Sequence, residues 1–213
     1  MLAEKHRFIV VEGPVGAGKT TLARLLAERM HTRLLLEDAG ANPFLARFYH
    51  DPERHALSTQ LFFLFQRAEQ MRELAQNDLF QQGTVTDFLL DKDPLFARLN
   101  LSDDEFRLYR EIYLHLQPRA LKPDLVIYLQ APVETLMERI VQRKIGYEQT
   151  ITLNYLTRLA EGYSQFFHHY EAAPLLIVNS ENFNFAGEPK DFELLLEKIG
   201  AMRGGREFFN RAD

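Results

Sequence analysis

The chain has 213 residues, 46% of them hydrophobic, with 25 basic against 30 acidic side chains and a net charge of −5. That length suits one α/β domain with a sizeable core, and the charge balance gives no footprint for nucleic-acid binding. There is no cysteine, which excludes disulfides, zinc–thiolate sites and thiol catalysis. Met1–Arg7 is polar and no run approaches the roughly 18 apolar residues of a membrane span. A cytoplasmic protein with no membrane partner is the expectation.

In chain order, the apolar run Phe8–Glu12 reads as a first buried strand. Directly after it, Gly13-Pro14-Val15-Gly16-Ala17-Gly18-Lys19-Thr20 completes a G-x-x-x-x-G-K-[ST] phosphate-binding loop. A strand before and a helix after, Lys19–Met30, is the context this motif requires. The three glycines let backbone N–H groups approach phosphate oxygens, with Thr21 continuing the cradle into the helix. Lys19 would reach the β- and γ-phosphates of a nucleoside triphosphate, and the Thr20 hydroxyl would sit on Mg²⁺.

Leu34–Glu37 reads as a short second strand, and Pro52–Asn77 as a long helix. Thr84–Leu89 is a third strand, and Ser102-Asp103-Asp104-Glu105 caps a helix over Asp103–Leu116. Leu125–Leu129 follows the Pro123-Asp124 breaker as a fourth strand, and Val133–Lys144 and Leu153–Tyr170 read as helices. Leu175–Val178 is a fifth strand and Lys190–Met202 a last helix. Alternating strands and helices predict a doubly wound α/β fold on a five-stranded parallel sheet, of the P-loop nucleoside triphosphate hydrolase type. One domain over residues 1–203 is expected, with 204–213 a flexible tail unless Phe208-Phe209 docks on the body.

No Asn-Lys-x-Asp segment is present to read guanine as a switch GTPase would. Arg139 and Arg143, followed by Lys144, lie one helical turn apart and share a face. Two guanidinium groups there can clamp a transferring phosphoryl group, a role worth about 10³–10⁵ in rate. The same spacing also suits a solvated basic face.

A longer set of motifs is more specific. Glu12 through Thr21, Glu37, Asn42-Pro43-Phe44-Leu45, Phe48-Tyr49, Asp51-Pro52-Glu53-Arg54, Ser58-Thr59-Gln60 and Arg67 follow one another in order. From about residue 7 to residue 180 the chain resembles the deoxynucleoside kinase family. Thymidylate kinase usually has an acid inside the loop, where Val15 stands, and Asp-Arg-aromatic after its third strand.

The resemblance implies a transfer from ATP, with Mg²⁺, to the 5′-hydroxyl of a deoxynucleoside. Glu37 would take the hydroxyl proton, a sensible duty for a carboxylate at the carboxyl edge of a strand. Gln60 would pair with the edge of the base, Arg67 would discriminate among bases, and Asp93 would be its carboxylate partner. Tyr49 and Glu148 would hold the sugar 3′-hydroxyl, Phe63 and Phe88 would pack around the base, and Asp87 would join Thr20 on the metal side. A lid over about 139–150, backbone contacts to adenine from the loop after the fifth strand, and a homodimer through the long helices are further implications; the Leu61–Phe65 run is compatible with the last.

One departure stands out. Family members commonly read acid-Arg-[Ser/Thr] where this chain has Asp87-Phe88-Leu89, so an arginine beside the base carboxylate is missing. A bacterial subgroup similar to deoxyguanosine kinases also has an aromatic residue there. This favours purines, guanine before adenine, with cytosine third, and makes Arg54 and Arg143 the candidate replacements. Two alternatives stay open: a nucleoside monophosphate kinase using Arg47, Arg54 and Arg67 on an acceptor phosphate, and a nucleotide-binding regulator without catalysis.

Overall fold

β1 (Phe8–Glu12) is buried at every residue, as a strand covered on both faces must be. In the computed structural model, which describes residues 5–77, 83–116, 121–185 and 187–210, it stands third in a parallel sheet of order β2-β3-β1-β4-β5-β6. The other strands are β2 (Arg33–Leu35), β3 (Thr84–Thr86), β4 (Leu125–Gln130), β5 (Leu175–Asn179) and β6 (Arg206–Phe209). The register pairs Ile9 with Val85 on one side and with Leu125 on the other. The chain leaves β1 towards β2 and later returns to β4 on the opposite side. A crevice opens at such a switch point, beyond the carboxyl ends of the strands.

Helices cover both faces. α1 (Lys19–Met30) buries Leu22, Ala23, Leu26 and Ala27, spaced for a single face, against β1 and β3. Each fully buried Leu there stabilises by about 1.5–3 kcal/mol. A second core gathers α2 (Leu45–His50), α3 (Pro52–Asn77), α4 (Asp93–Asn100) and α5 (Asp103–Leu116) around Phe48, Leu64, Ala97 and Tyr109. α6 (Val133–Arg143), α7 (Leu153–His168) and α8 (Pro189–Ala201) complete the described helices.

The expected five strands are corrected to six, and with them the flexible tail. Arg206–Phe209 pairs in parallel with β5, Leu175 opposite Arg206. Gly204 and Gly205 form its entry rather than a point of fraying: the Gly205 carbonyl accepts from Leu175 N at 2.9 Å, and Gly204 N donates to Glu207 Oε1 at 3.0 Å. Phe209 stacks on Phe183 with ring centroids 5.1 Å apart, so the docking alternative describes this segment; residues 211–213 lie outside the described ones. The second strand ends at Leu35, which places Glu37 two residues beyond it.

Candidate active site

The phosphate loop leaves β1 through Gly13, whose φ of +153° brings it so close to β4 that a Cβ would lie 2.6 Å from the Leu129 carbonyl oxygen. Gly16 repeats this at φ +86°, 2.6 Å from the Leu136 carbonyl oxygen of α6. A side chain at either position would strain the loop. Lys19 Nζ lies back on the loop, donating to the Pro14 carbonyl at 3.1 Å. Burial first, and then the neighbouring Lys92, push its ammonium below the ordinary lysine value, against the pull of Glu12, Asp87 and Glu37.

Asp87 ties this donor side to the acceptor side. One oxygen accepts from Thr20 Oγ1 at 2.6 Å, and the other accepts from Glu37 N at 2.8 Å. Glu37, Gln60 and Arg67 then line one cavity of about 180 Å³ with Lys19, Tyr49, Arg143 and Glu148. Arg67 Nε donates to Glu37 Oε1 at 2.6 Å, and its NH2 pairs with that same oxygen. Burial pushes the Glu37 carboxyl up, yet Arg67, Lys92 and Lys19 together hold it below the usual carboxylate value. It therefore stands ionised and able to accept a proton.

Arg67, 4% exposed, also pairs with Asp93, which is fully buried and accepts from Tyr109 OH at 2.9 Å. Asp93 stands behind Arg67 rather than in the cavity wall, so it is a support and not a surface for a ligand. Tyr49 stacks on Tyr147 at 6.1 Å, joining α2 to the segment after α6. Glu148 pairs with Arg143 NH2 at 2.6 Å, while burial, outweighing that cation, raises its carboxyl above the usual value.

A second, wider cleft of about 640 Å³ runs over Gly16, Ala17, Gly18, Lys19, Thr20 and Thr21 to Arg139, Arg143 and the segment 180–185. Arg139 is aimed at that segment, donating to the Ser180 carbonyl at 2.7 Å. Although one turn apart, the two arginines diverge: Arg143 lines both spaces and Arg139 only the wider one.

Two sequence expectations fail in this region. Phe88 is fully buried in the main core and does not reach the cavity. Just past β3, neighbouring side chains point to opposite sides, so Asp87 at the crevice sends Phe88 inward. Arg54 is exposed and absent from the cavity wall, as is Arg47, so neither supplies a charge there. The residue that sequence reasoning missed is Lys92, 2% exposed, whose Nζ lies 2.7 Å from Glu12 Oε1 at the cavity wall. Flanked by Asp91 and Asp93, it reads in sequence as part of a solvated turn.

This arrangement, a phosphate loop joined by one aspartate to a carboxylate in a second cavity, fits what the family comparison finds. A model described as deoxynucleoside kinase matches residues 9–202. The chain belongs to the deoxynucleoside kinase family. As a deoxynucleoside kinase it is a phosphotransferase acting on a nucleoside hydroxyl, and the alternatives of a monophosphate kinase or an inactive regulator are not favoured. It is 31% identical over 197 residues to the deoxyguanosine kinase of Bacillus subtilis strain 168, covering 90% of this chain and 95% of that one. It is 29% identical over 205 residues to a deoxyadenosine kinase of Lactobacillus acidophilus, covering 90% of this chain and 94% of the other. In fold it is similar to the deoxyadenosine kinase of M. mycoides, whose solved structure holds dCMP and a flexible dCDP, with a TM-score of 0.80, 24% identity and 92% and 100% of the two chains covered. No described helix is long and apolar enough to cross a membrane.

Proposed function

We propose that this chain transfers the γ-phosphoryl group of ATP to the 5′-hydroxyl of a purine deoxynucleoside, guanine before adenine, for nucleotide salvage in the cytoplasm. The observation that carries the reading is the position of Glu37. Its carboxylate faces the cavity lined by Gln60 and Arg67, while its own N–H is bonded to the aspartate that holds Thr20 of the phosphate loop. The similar deoxyguanosine and deoxyadenosine kinases support the choice of purines.

Both Arg67 contacts fall on Glu37 Oε1, leaving Oε2 to take the proton. The proton leaves as the 5′-oxygen forms its bond to phosphorus and the bond from phosphorus to the ADP oxygen breaks. Gln60 offers one donor and one acceptor group to a base edge, and the Arg67 fork adds fixed donors. Thr20 and Asp87 fit a magnesium ion, since a hydroxyl and a carboxylate 2.6 Å apart are hard oxygen donors and this ion takes few protein ligands. When bound, it neutralises charge on the phosphates. Segment 139–150 of this one kinase domain acts as the lid that excludes water, with Arg139 and Arg143 facing the phosphates. Phe65, Leu108 and Leu114, all about half exposed on α3 and α5, form the face through which two copies pair.

The deciding experiment incubates the protein with ATP, Mg²⁺ and each natural nucleoside and deoxynucleoside, then separates the products by chromatography. ADP and deoxyguanosine monophosphate in equal amounts are expected. Failure of every deoxynucleoside to yield a monophosphate overturns the reading. Light scattering on the same sample reads the dimer.

A further inference from the structure

Charge in the acceptor cavity is unevenly committed. Arg67 is engaged with Glu37 and Asp93, and Arg143 with Glu148. Lys92 is held differently. Its partner Glu12 lies behind the wall, fully buried, and shares its carboxylate among four donors. These are Lys92 Nζ and Leu89 N on Oε1, both at 2.7 Å, with Gly13 N at 3.0 Å and Tyr163 OH at 3.2 Å on Oε2. The ammonium itself lies at the cavity wall, over the rings of Phe96 at 5.1 Å and Tyr163 at 5.7 Å, in the space that also holds Lys19 and Glu37.

A buried ion pair is a costly way to fasten a turn to a strand, and apolar packing commonly does as well. Here the anion is turned inward and the cation faces the space where phosphoryl oxygens would pass between Lys19 and Glu37. The field of that cation is felt at both: it disfavours charge on Lys19 and favours it on Glu37. Such a fixed, water-excluded charge is worth far more in a cavity than in solvent.

We propose that Lys92, anchored by Glu12, is a positioning residue that supplies the acceptor cavity with a fixed positive charge whose counter-ion lies behind the wall, and so takes the place of the arginine absent at Phe88. It acts through Glu37 and Lys19, fixing the field in which the phosphoryl group moves, and it works from a turn five residues after Asp87 rather than from the next residue. The inference rests on the kinase reading above.

The test compares wild type with Lys92→Met, Lys92→Arg and the double variant Glu12→Gln/Lys92→Met by steady-state kinetics and thermal melting. Lys92→Met is expected to lower kcat about 10²-fold, the usual loss for one preorganised electrostatic group. KM for ATP and for the deoxynucleoside should stay within about threefold, the split that marks an interaction made in the transition state. Lys92→Arg keeps the charge on a different stem and should recover about tenfold or more of that loss. If Lys92→Met leaves Glu12 so unsatisfied that it fails to fold, the double variant removes both charges at once and should fold with the same loss of kcat. A folded Lys92→Met or double variant with wild-type kcat overturns the proposal, as does Lys92→Arg performing no better than Lys92→Met. A wild-type protein without turnover overturns the kinase reading and this inference together; wild-type turnover with indifferent variants overturns this inference alone.

Discussion

The donor cleft measures about 640 Å³ and is floored by the loop that runs from Gly16 to Thr21, whereas the acceptor cavity measures about 180 Å³ and is crowded with ionised side chains. On the donor side the loop turns on two glycines whose positive φ a side chain could hold only under strain, which leaves backbone N–H groups free to meet phosphate. On the acceptor side a chain of charges runs from Asp93, behind the wall, to Arg67 and Glu37 within it. The first kind of site depends on chain geometry, the second on mutual satisfaction of groups that would be ruinous alone.

Substitutions can break this contrast, and the largest effect is expected at Glu37. Glu37→Gln should lower kcat by about 10²–10⁴-fold while ATP binding is kept, the range for a lost general base; steady-state kinetics beside a nucleotide-binding titration will show whether the two sides separate. Arg67→Leu strands Asp93 at full burial, so a loss of about 3–5 kcal/mol in stability is expected by chemical denaturation. Its preference among the four deoxynucleosides should change more than its affinity for ATP, and an unchanged preference would remove Arg67 from base reading. Gly16→Ala works on the other side. The residue must hold φ +86° against the Leu136 carbonyl, a strain of about 1–3 kcal/mol. It should weaken ATP and leave deoxynucleoside preference alone, as two competition assays would reveal.

The smallest effect sharpens the edge of the donor side. Lys198, with the N–H groups of Gly204 and Arg203, holds Glu207 down to about 2 from an ordinary 4.5. A depressed carboxyl contributes stability that is complete above the ordinary value and disappears as pH falls through the lowered one. The gap in melting temperature between wild type and Glu207→Gln should therefore be full at neutral pH, shrink below about 4.5 and close near 2. A gap independent of pH would show that the ion pair does not hold β6.

Sequence reading reached these two sides unequally, for the same reason. Gly13 to Thr20 is a local motif whose geometry follows from residue order, and the strand that leads into it is a continuous apolar run. Glu37, Gln60 and Arg67 needed a whole series of spaced motifs, because two separate elements, the turn after β2 and the helix α3, bring them together. Asp93 was expected as the carboxylate partner of Arg67 and does pair with it, from full burial; nothing in one sequence says which side of an arginine a carboxylate occupies. Lys92 was invisible, since a lysine between two aspartates is in most chains a wet turn, and only the burial of Glu12 makes it otherwise. β6 escaped because its four residues follow two glycines and alternate too briefly to declare a strand.

Arg143 borders both spaces with one guanidinium, and that group already bonds Glu148. A ligand that recruits it from the donor side withdraws it from the acceptor side, and linkage makes such an effect mutual. Whatever factor the first substrate imposes on the affinity for the second must be returned in equal measure, so neither dissociation constant belongs to its own site alone.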